Sequence, residues 1–178
     1  NTFVQDIVFF NGTPVVNDGQ IKIWDAVTST FSVLGNNLAR GGHLLVHEGE
    51  LYCGGGSLMT GANVILAKYD GVGTWIPLLG STLINSQVTA LISVGNDIAV
   101  GGGLDPAVIT FPSGSLGAVG DNFAIYDNNA DVFSRKTDGV KIGVARTVSD
   151  FAFHGDRLYI AQRGTFFNPF ADIEYWDF

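Results

Sequence analysis

Four short alternating runs constrain this chain more than any other feature: VQDIVFF (4–10), HLLVH (43–47), VTALISV (88–94) and VSDFAFH (148–154). Aligned on Ile7, Leu44, Leu91 and Phe151, each run alternates apolar and polar residues, the period of a half-buried strand. Each is followed at once by a turn signal, NGT, EGE, GND or GDR, and then by a second apolar run, PVV, LYCGG, IAVGG or LYIAQ. Asn-Gly and Gly-Asp pairs supply the positive φ that two-residue hairpin turns require. The sequence therefore predicts four β-hairpins in a common register.

A third recurring element ends in an aromatic-Asp pair: IKIWD (21–25), ILAKYD (65–70), FAIYD (123–127) and IEYWD (173–177). A polar loop follows, and then Phe31, Trp75 or Phe133 opens a returning strand. The unit is thus four strands long, with a period near 45–60 residues that grows by insertion between strands. A four-stranded antiparallel unit repeated at this period is the signature of a β-propeller blade.

The second repeat, with its glycine pair after LYC, its Tyr69-Asp70 and its Trp75, resembles a kelch-type repeat. It is also similar to the repeats of secreted bacterial, phage and fungal surface proteins related to the central domain of galactose oxidase. The resemblance implies an all-β fold, a β-propeller of about four kelch-like four-stranded blades, in one domain over residues 1–178. The repeats would run approximately 1–34, 35–78, 79–136 and 137–178. Repeat one departs from the pattern with Asn17-Asp18 in place of the glycine pair, and repeat four with Ala161-Gln162. The array opens on the second strand of a blade and stops before a fourth aromatic-led strand. The expectation is a propeller, whole or partial, the partial form being completed by further chain or by a partner that covers its open edges.

Composition supports the all-β reading and narrows the partners. Of 178 residues, 24 are glycine and only 15% are charged, which suits tight turns better than long helices. Net charge is −8, so nucleic acid is not expected as a partner, since phosphate binding needs a cationic surface. Six of the nine basic residues fall within 135–163, but of these Arg157 sits in a turn, and Arg146, like Arg40, precedes a strand core where the resemblance implies a structural arginine. No run approaches the ~18 apolar residues of a membrane span. The single cysteine, Cys53, excludes an internal disulfide.

Chemistry-bearing motifs are sparse. Asp25, Asp70, Asp127 and Asp177 open loops in every repeat and are expected to accept backbone N–H bonds in Asx-turns. Asp127, Asn129 and Asp131 match the start of a calcium loop, but Val132 stands where glycine is needed and no Glu closes the loop. His43 and His47 lie on one strand face about 13 Å apart, too far for one metal ion. His154 occupies the position of His47 and is expected at the surface beside a turn. Gly-Gly-Ser at 55–57 and Ser-Gly-Ser at 113–115 lack the strand-turn-helix context of a catalytic serine. Copper-radical oxidases share the propeller fold class, but adjacent Tyr52 and Cys53 point to opposite faces of a strand and cannot join. No cofactor and no metal is expected.

Function is therefore sought in the insertions, where loops on a rigid scaffold carry it. Residues 104–120 are long and nearly uncharged; residues 162–172 set three phenylalanines beside Arg163. The candidate binding residues are Arg163, Phe166, Phe167, Phe170 and Phe111. The expected role is a non-catalytic extracellular, cell-surface or virion-surface module for adhesion or assembly. Its partner would be a protein or another copy of itself, reached through blade edges or insertion loops, with a glycan as second candidate. The alternatives are a carbohydrate-active hydrolase or oxidase, and a lectin. A lectin would expose Trp24, Tyr69, Tyr126 and Trp176, which are expected to be buried.

Overall fold

The computed structural model describes residues 3–61, 63–78, 82–83, 87–103, 110–111, 114–115, 123–134, 147–163 and 172–177. The first repeat forms β1 (Asp6–Phe10), β2 (Thr13–Asn17), β3 (Ile21–Asp25) and β4 (Thr30–Val33). Next come β5 (Leu38–Arg40), β6 (His43–His47), β7 (Glu50–Gly54), β8 (Ser57–Leu58), β9 (Asn63–Val64), β10 (Leu66–Tyr69) and β11 (Trp75–Pro77). The third stretch holds β12 (Thr82–Leu83), β13 (Gln87–Val94), β14 (Asp97–Gly103), β15 (Thr110–Phe111), β16 (Gly114–Ser115), β17 (Phe123–Asp127) and β18 (Val132–Ser134). The chain closes with β19 (Thr147–His154), β20 (Arg157–Arg163) and β21 (Asp172–Asp177).

The four lead hairpins form as the sequence predicts. β1 pairs with β2, β6 with β7, β13 with β14 and β19 with β20, and Ile7, Leu44, Leu91 and Phe151 face Val16, Cys53, Val100 and Ile160. Two turn chemistries serve them. Asn11-Gly12 and Glu48-Gly49 both take positive φ, whereas in the later hairpins the first turn residue, Gly95 or Gly155, does so.

The aromatic-Asp hairpins also follow the pattern. Trp24 lies opposite Phe31, Tyr69 opposite Trp75 and Tyr126 opposite Phe133, with ring centroids 5.1, 5.4 and 5.3 Å apart. In each of these loops the aspartate works as a cap. Asp25 Oδ1 accepts from Val27 N at 2.8 Å, Asp70 Oδ1 from the amides of Val72, Gly73 and Thr74, and Asp127 Oδ1 from those of Asn129 and Ala130. Asp131 accepts from the Tyr126 hydroxyl at 2.6 Å, which gives the calcium-like spacing a structural use.

The all-β expectation holds, but the kelch-type β-propeller of about four blades, whole or partial, does not. Among the described residues the strands form six separate sheets in the orders β1-β2-β3-β4, β11-β10-β7-β6, β12-β9-β8-β5, β13-β14-β17-β18, β15-β16 and β19-β20-β21. All are open, and none curls onto itself. The segments flanking the strands of repeat two, with β12 from the start of repeat three, form a sheet of their own, β12-β9-β8-β5, outside the four-stranded repeat unit, and the final sheet has three strands. The physical reason is locality. Turn residues and alternation dictate hairpins, whereas closure would need long-range contacts that no recurring residue specifies.

What joins the sheets is stacking of side chains. One face of each repeat sheet, its leading face, bears the aligned residue; at three successive junctions the leading face of one sheet meets the trailing face of the sheet before. Val15, Ile21 and Leu34 of the first repeat pack on Leu44, Leu51, Cys53, Ala67 and Trp75 of the second. Tyr52 and Leu66 then pack on Ile98, Val100, Ala124, Tyr126 and Phe133, and Ala99 and Ile125 on Phe151, Leu158 and Ile160. Adjacent Tyr52 and Cys53 thus serve different clusters, as alternation requires.

Glycine sets how closely the sheets approach. A Cβ on Gly54 would stand 2.9 Å from Leu91 Cδ1, and one on Gly101 would stand 2.5 Å from Val148 Cγ1 and 2.6 Å from Phe151 Cζ. Where the first repeat has Asn17 instead, the side chain is fully buried and donates from Nδ2 to the Gly42 carbonyl at 2.6 Å. Trp75, 1% exposed, adds a polar tie by donating from Nε1 to the Leu34 carbonyl at 2.8 Å. Gly101→Val is expected to cost about 1–3 kcal/mol through overpacking, and Trp75→Ala about 3–5 kcal/mol through the cavity and the lost bond. Urea denaturation of both variants checks this order.

Candidate functional site

The residue just before each aligned apolar position reads Asp6, His43, Ala90 and Asp150. The structure brings these four equivalent positions together. They line one cavity of about 400 Å³, with Leu44, Thr89, Leu91 and Ser149 between them. This follows from the stacking, because β1, β6, β13 and β19 are neighbours in succession. A second cavity of about 310 Å³ adjoins it, shares Asp6 and His43, and is lined further by Gln5, Arg40, Ser57 and Asn63.

Asp6 is the best-held group in the site. Its Oδ1 accepts from Ile7 N at 2.8 Å, its Oδ2 from Leu44 N at 2.8 Å, and His43 Nδ1 lies 3.7 Å from Oδ2. Burial pushes its carboxyl upward, but the His43 interaction and the two amides outweigh that and leave it below its ordinary value. Asp150 repeats the local bond, accepting from Phe151 N at 2.8 Å, and is exposed. The neighbouring hydroxyls are committed: Thr89 donates to the Val148 carbonyl and Ser149 to the Ala161 carbonyl. The arrangement presents carboxylate and imidazole acceptors to a polar or cationic group. Among the described residues no set of three His, Cys, Asp or Glu is placed to hold a metal ion.

Of the binding residues expected from the sequence, Arg163 is the one whose side chain is described, and it is not among the residues that line the cavity. Arg163 ends β20 exposed, opposite Thr147 on β19. Phe111 pairs with Gly114 in the short β15–β16 hairpin, and its side chain lies outside the described residues, as do Phe166, Phe167 and Phe170. His154 is exposed, but its counterpart His47 is 3% exposed and ties the second repeat to the third. Its Nδ1 lies 3.0 Å from Ser93 Oγ and its Nε2 3.0 Å from the Asn96 carbonyl. Of the aromatics that a lectin would expose, Tyr126 is buried, Trp24 and Tyr69 are half-buried, and the Trp176 side chain lies outside the described residues. Arg40 is exposed and lines the smaller cavity. The signal for Asp6, His43 and Asp150 was present in the aligned column, one place before the residues used to align it.

No family model matches the chain, and no curated protein matches it. Solved structures do. The computationally designed Ika4 protein is similar at 18% identity and a TM-score of 0.59, over 99% of this chain and 92% of its own. The computationally designed Ika8 protein is similar at 18% identity and a TM-score of 0.56, over 98% of this chain, which spans 45% of the Ika8 length. At such identity the likeness is one of fold alone.

Two expectations follow from the local chemistry. Cys53 is fully buried, accepts a hydrogen bond from Gly42 N at 3.2 Å, and has its thiol pushed up to about 12 by that burial. The native protein should therefore fail to react with a thiol-specific chromogenic disulfide at about pH 8 and titrate one thiol after unfolding. Asp6, with its carboxyl depressed in the folded state, contributes stability above the usual carboxylate range that is lost as pH falls through the folded value. Urea midpoints should drop between about pH 5 and about pH 2, and Asp6→Asn should flatten part of that loss.

Proposed function

We propose that the chain is a non-catalytic interaction module that works by offering an apolar sheet face to a protein partner. One observation carries this reading: among the described residues, the leading face of the first sheet has no sheet against it. Ile7 is 55% exposed, Phe9 67%, Phe31 43% and Val33 56%, around a buried Val16 at the centre. Trp24 stands half-buried between them, edge-on to Phe31. Singly exposed apolar residues need no explanation, but a contiguous group on one flat face marks an interaction surface. The cavity supports the same reading, since its most ordered carboxylate is engaged in holding β1 against β6.

The setting we propose is extracellular, at a cell or virion surface. What supports it is a chain with one cysteine, buried and shielded from oxidants, which has no need of a reducing compartment. Among the described residues no helix is long and apolar enough to cross a membrane.

The test is Phe9→Lys and Phe31→Lys, singly and together. On a face kept for a partner, each should change the stability of the monomer, measured at high dilution, by less than about 0.5 kcal/mol and reduce its binding of an apolar fluorescent dye. A loss of more than about 2 kcal/mol per change, the cost of a charge placed in a core, would show that the face is internal and would overturn the reading.

A further inference from the structure

The uncovered face of the first sheet is a member of a series. At each of the three internal interfaces, a leading face meets the trailing face of the sheet before, through equivalent positions. Leu44, Leu51, Cys53, Ala67 and Trp75 make the first contact, and Leu91, Ile98, Val100, Ala124 and Phe133 the second. Phe151, Leu158 and Ile160 make the third. Their counterparts in the first sheet are Ile7, Pro14, Val16, Lys22 and Phe31, by the strand registers. This is the face left open, and it is built as an interface.

Among the described residues, the opposite end of the stack leaves the complementary surface. The trailing face of the last sheet carries Ala152, Tyr159, Ala161 and Ile173, which pair across β19, β20 and β21. Ala152 is exposed, Tyr159 and Ala161 are half-buried, and Ile173 is 74% exposed. Their equivalents in the third sheet include Ala99 and Phe123, which lie in the cluster beneath the next sheet, and Ile92, which packs against it.

We infer that these two end faces belong together across two molecules: the first sheet of one copy stacks on the last sheet of a second copy, as a fourth contact of the same kind. This rests on the interaction-module reading and names its partner. The geometry of the internal contacts fixes the register. Leu91 sits over Gly54, and Phe151 over Gly101. Gly54, Gly101 and Ala161 are equivalent, lying opposite His43, Ala90 and Asp150 on the lead strands. Ile7 of one copy therefore seats over Ala161 of the other. The pairing is sterically apt, because the side chain that descends is smaller than Phe151 where the position beneath has gained a methyl group.

Size argues for two such contacts at once. The last sheet has three strands, so the overlap is three strands about 4.8 Å apart and five residues long, on the order of 240 Å² of footprint. One contact, counting both partners, removes about 480 Å², half of the ~1,000 Å² expected of a specific interface. A two-fold pair, in which each first sheet meets the other copy's last sheet, brings the total to about that size.

The experiment uses the full chain with Ile7→Cys and Ala161→Cys, made separately and together; Cys53 stays because its thiol is buried. Sedimentation of the unmodified chain at about 100 μM, above the micromolar end of the range that protein interfaces span, is expected to give a dimer. Mixing the two single variants under mild oxidation should give a disulfide-linked heterodimer several-fold faster than either variant links to itself, and Phe9→Lys should abolish both signals.

Three outcomes would overturn the inference, and they separate it from the broader reading. If the double variant forms its disulfide within one chain and the protein stays monomeric, the face is internal and both fail. If the protein is monomeric and the face still binds apolar dye in a manner lost with Phe9→Lys, the partner is a different protein and only this inference fails. A dimer in which the Ile7→Cys variant links to itself but not to the Ala161→Cys variant would replace it with a face-to-self contact.

Discussion

Everything in this structure depends on how closely one sheet can approach the next. Hydrogen bonds hold strands together within a sheet, but the stack is built of side chains meeting across roughly 10 Å, and the glycines of β7 and β14 set that spacing. With no Cβ at Gly54 or Gly101, Leu91 and Phe151 descend onto bare backbone. A larger residue would hold the sheets apart and open the cluster around Ile98 or Leu158 to water. The recurring glycines that looked like a family mark are thus explained by packing.

The aromatic-Asp hairpin is the second half of that logic. Asp70 gathers three loop amides, which fixes the loop and delivers Trp75 directly opposite Tyr69. The aromatic pair then lies across the leading face, and in the second repeat Trp75 reaches the Leu34 carbonyl of the first. One turn therefore determines both the end of a strand and the grip on a neighbouring sheet. Polar ties of the same reach, from Asn17 to Gly42 and from His47 to the Asn96 carbonyl, add direction to a contact that is otherwise apolar.

Much of this was legible in the sequence. Period-two runs, turn residues and the aromatic-Asp pairs give the hairpins, their register and the alternation that separates Tyr52 from Cys53. These are local signals, and local physics decides them. The closed propeller was not legible, since hairpins of this kind can stack without any sheet closing, and the connections of repeat two are drawn into a separate sheet that no alternation announces. The cavity was missed for a related reason. Asp6, His43 and Asp150 are far apart in sequence and look ordinary one by one; they meet only because equivalent positions of stacked sheets converge. Segments 104–120 and 162–172 stand out by composition, whereas the repeated column that holds these groups carries no compositional mark.

The alternation at Tyr52 and Cys53 reaches beyond packing. Neighbouring residues of β7 belong to two different clusters, one on each side of the sheet. A single inserted residue there would exchange both faces at once and break two interfaces in one event. Between the hairpins nothing comparable applies, and the intervals from Ile7 to Leu44 to Leu91 to Phe151 lengthen from 37 to 47 to 60 residues without disturbing the register. A lineage of such chains would be expected to drift freely in side-chain identity and loop length while the residue count of each central strand stays fixed.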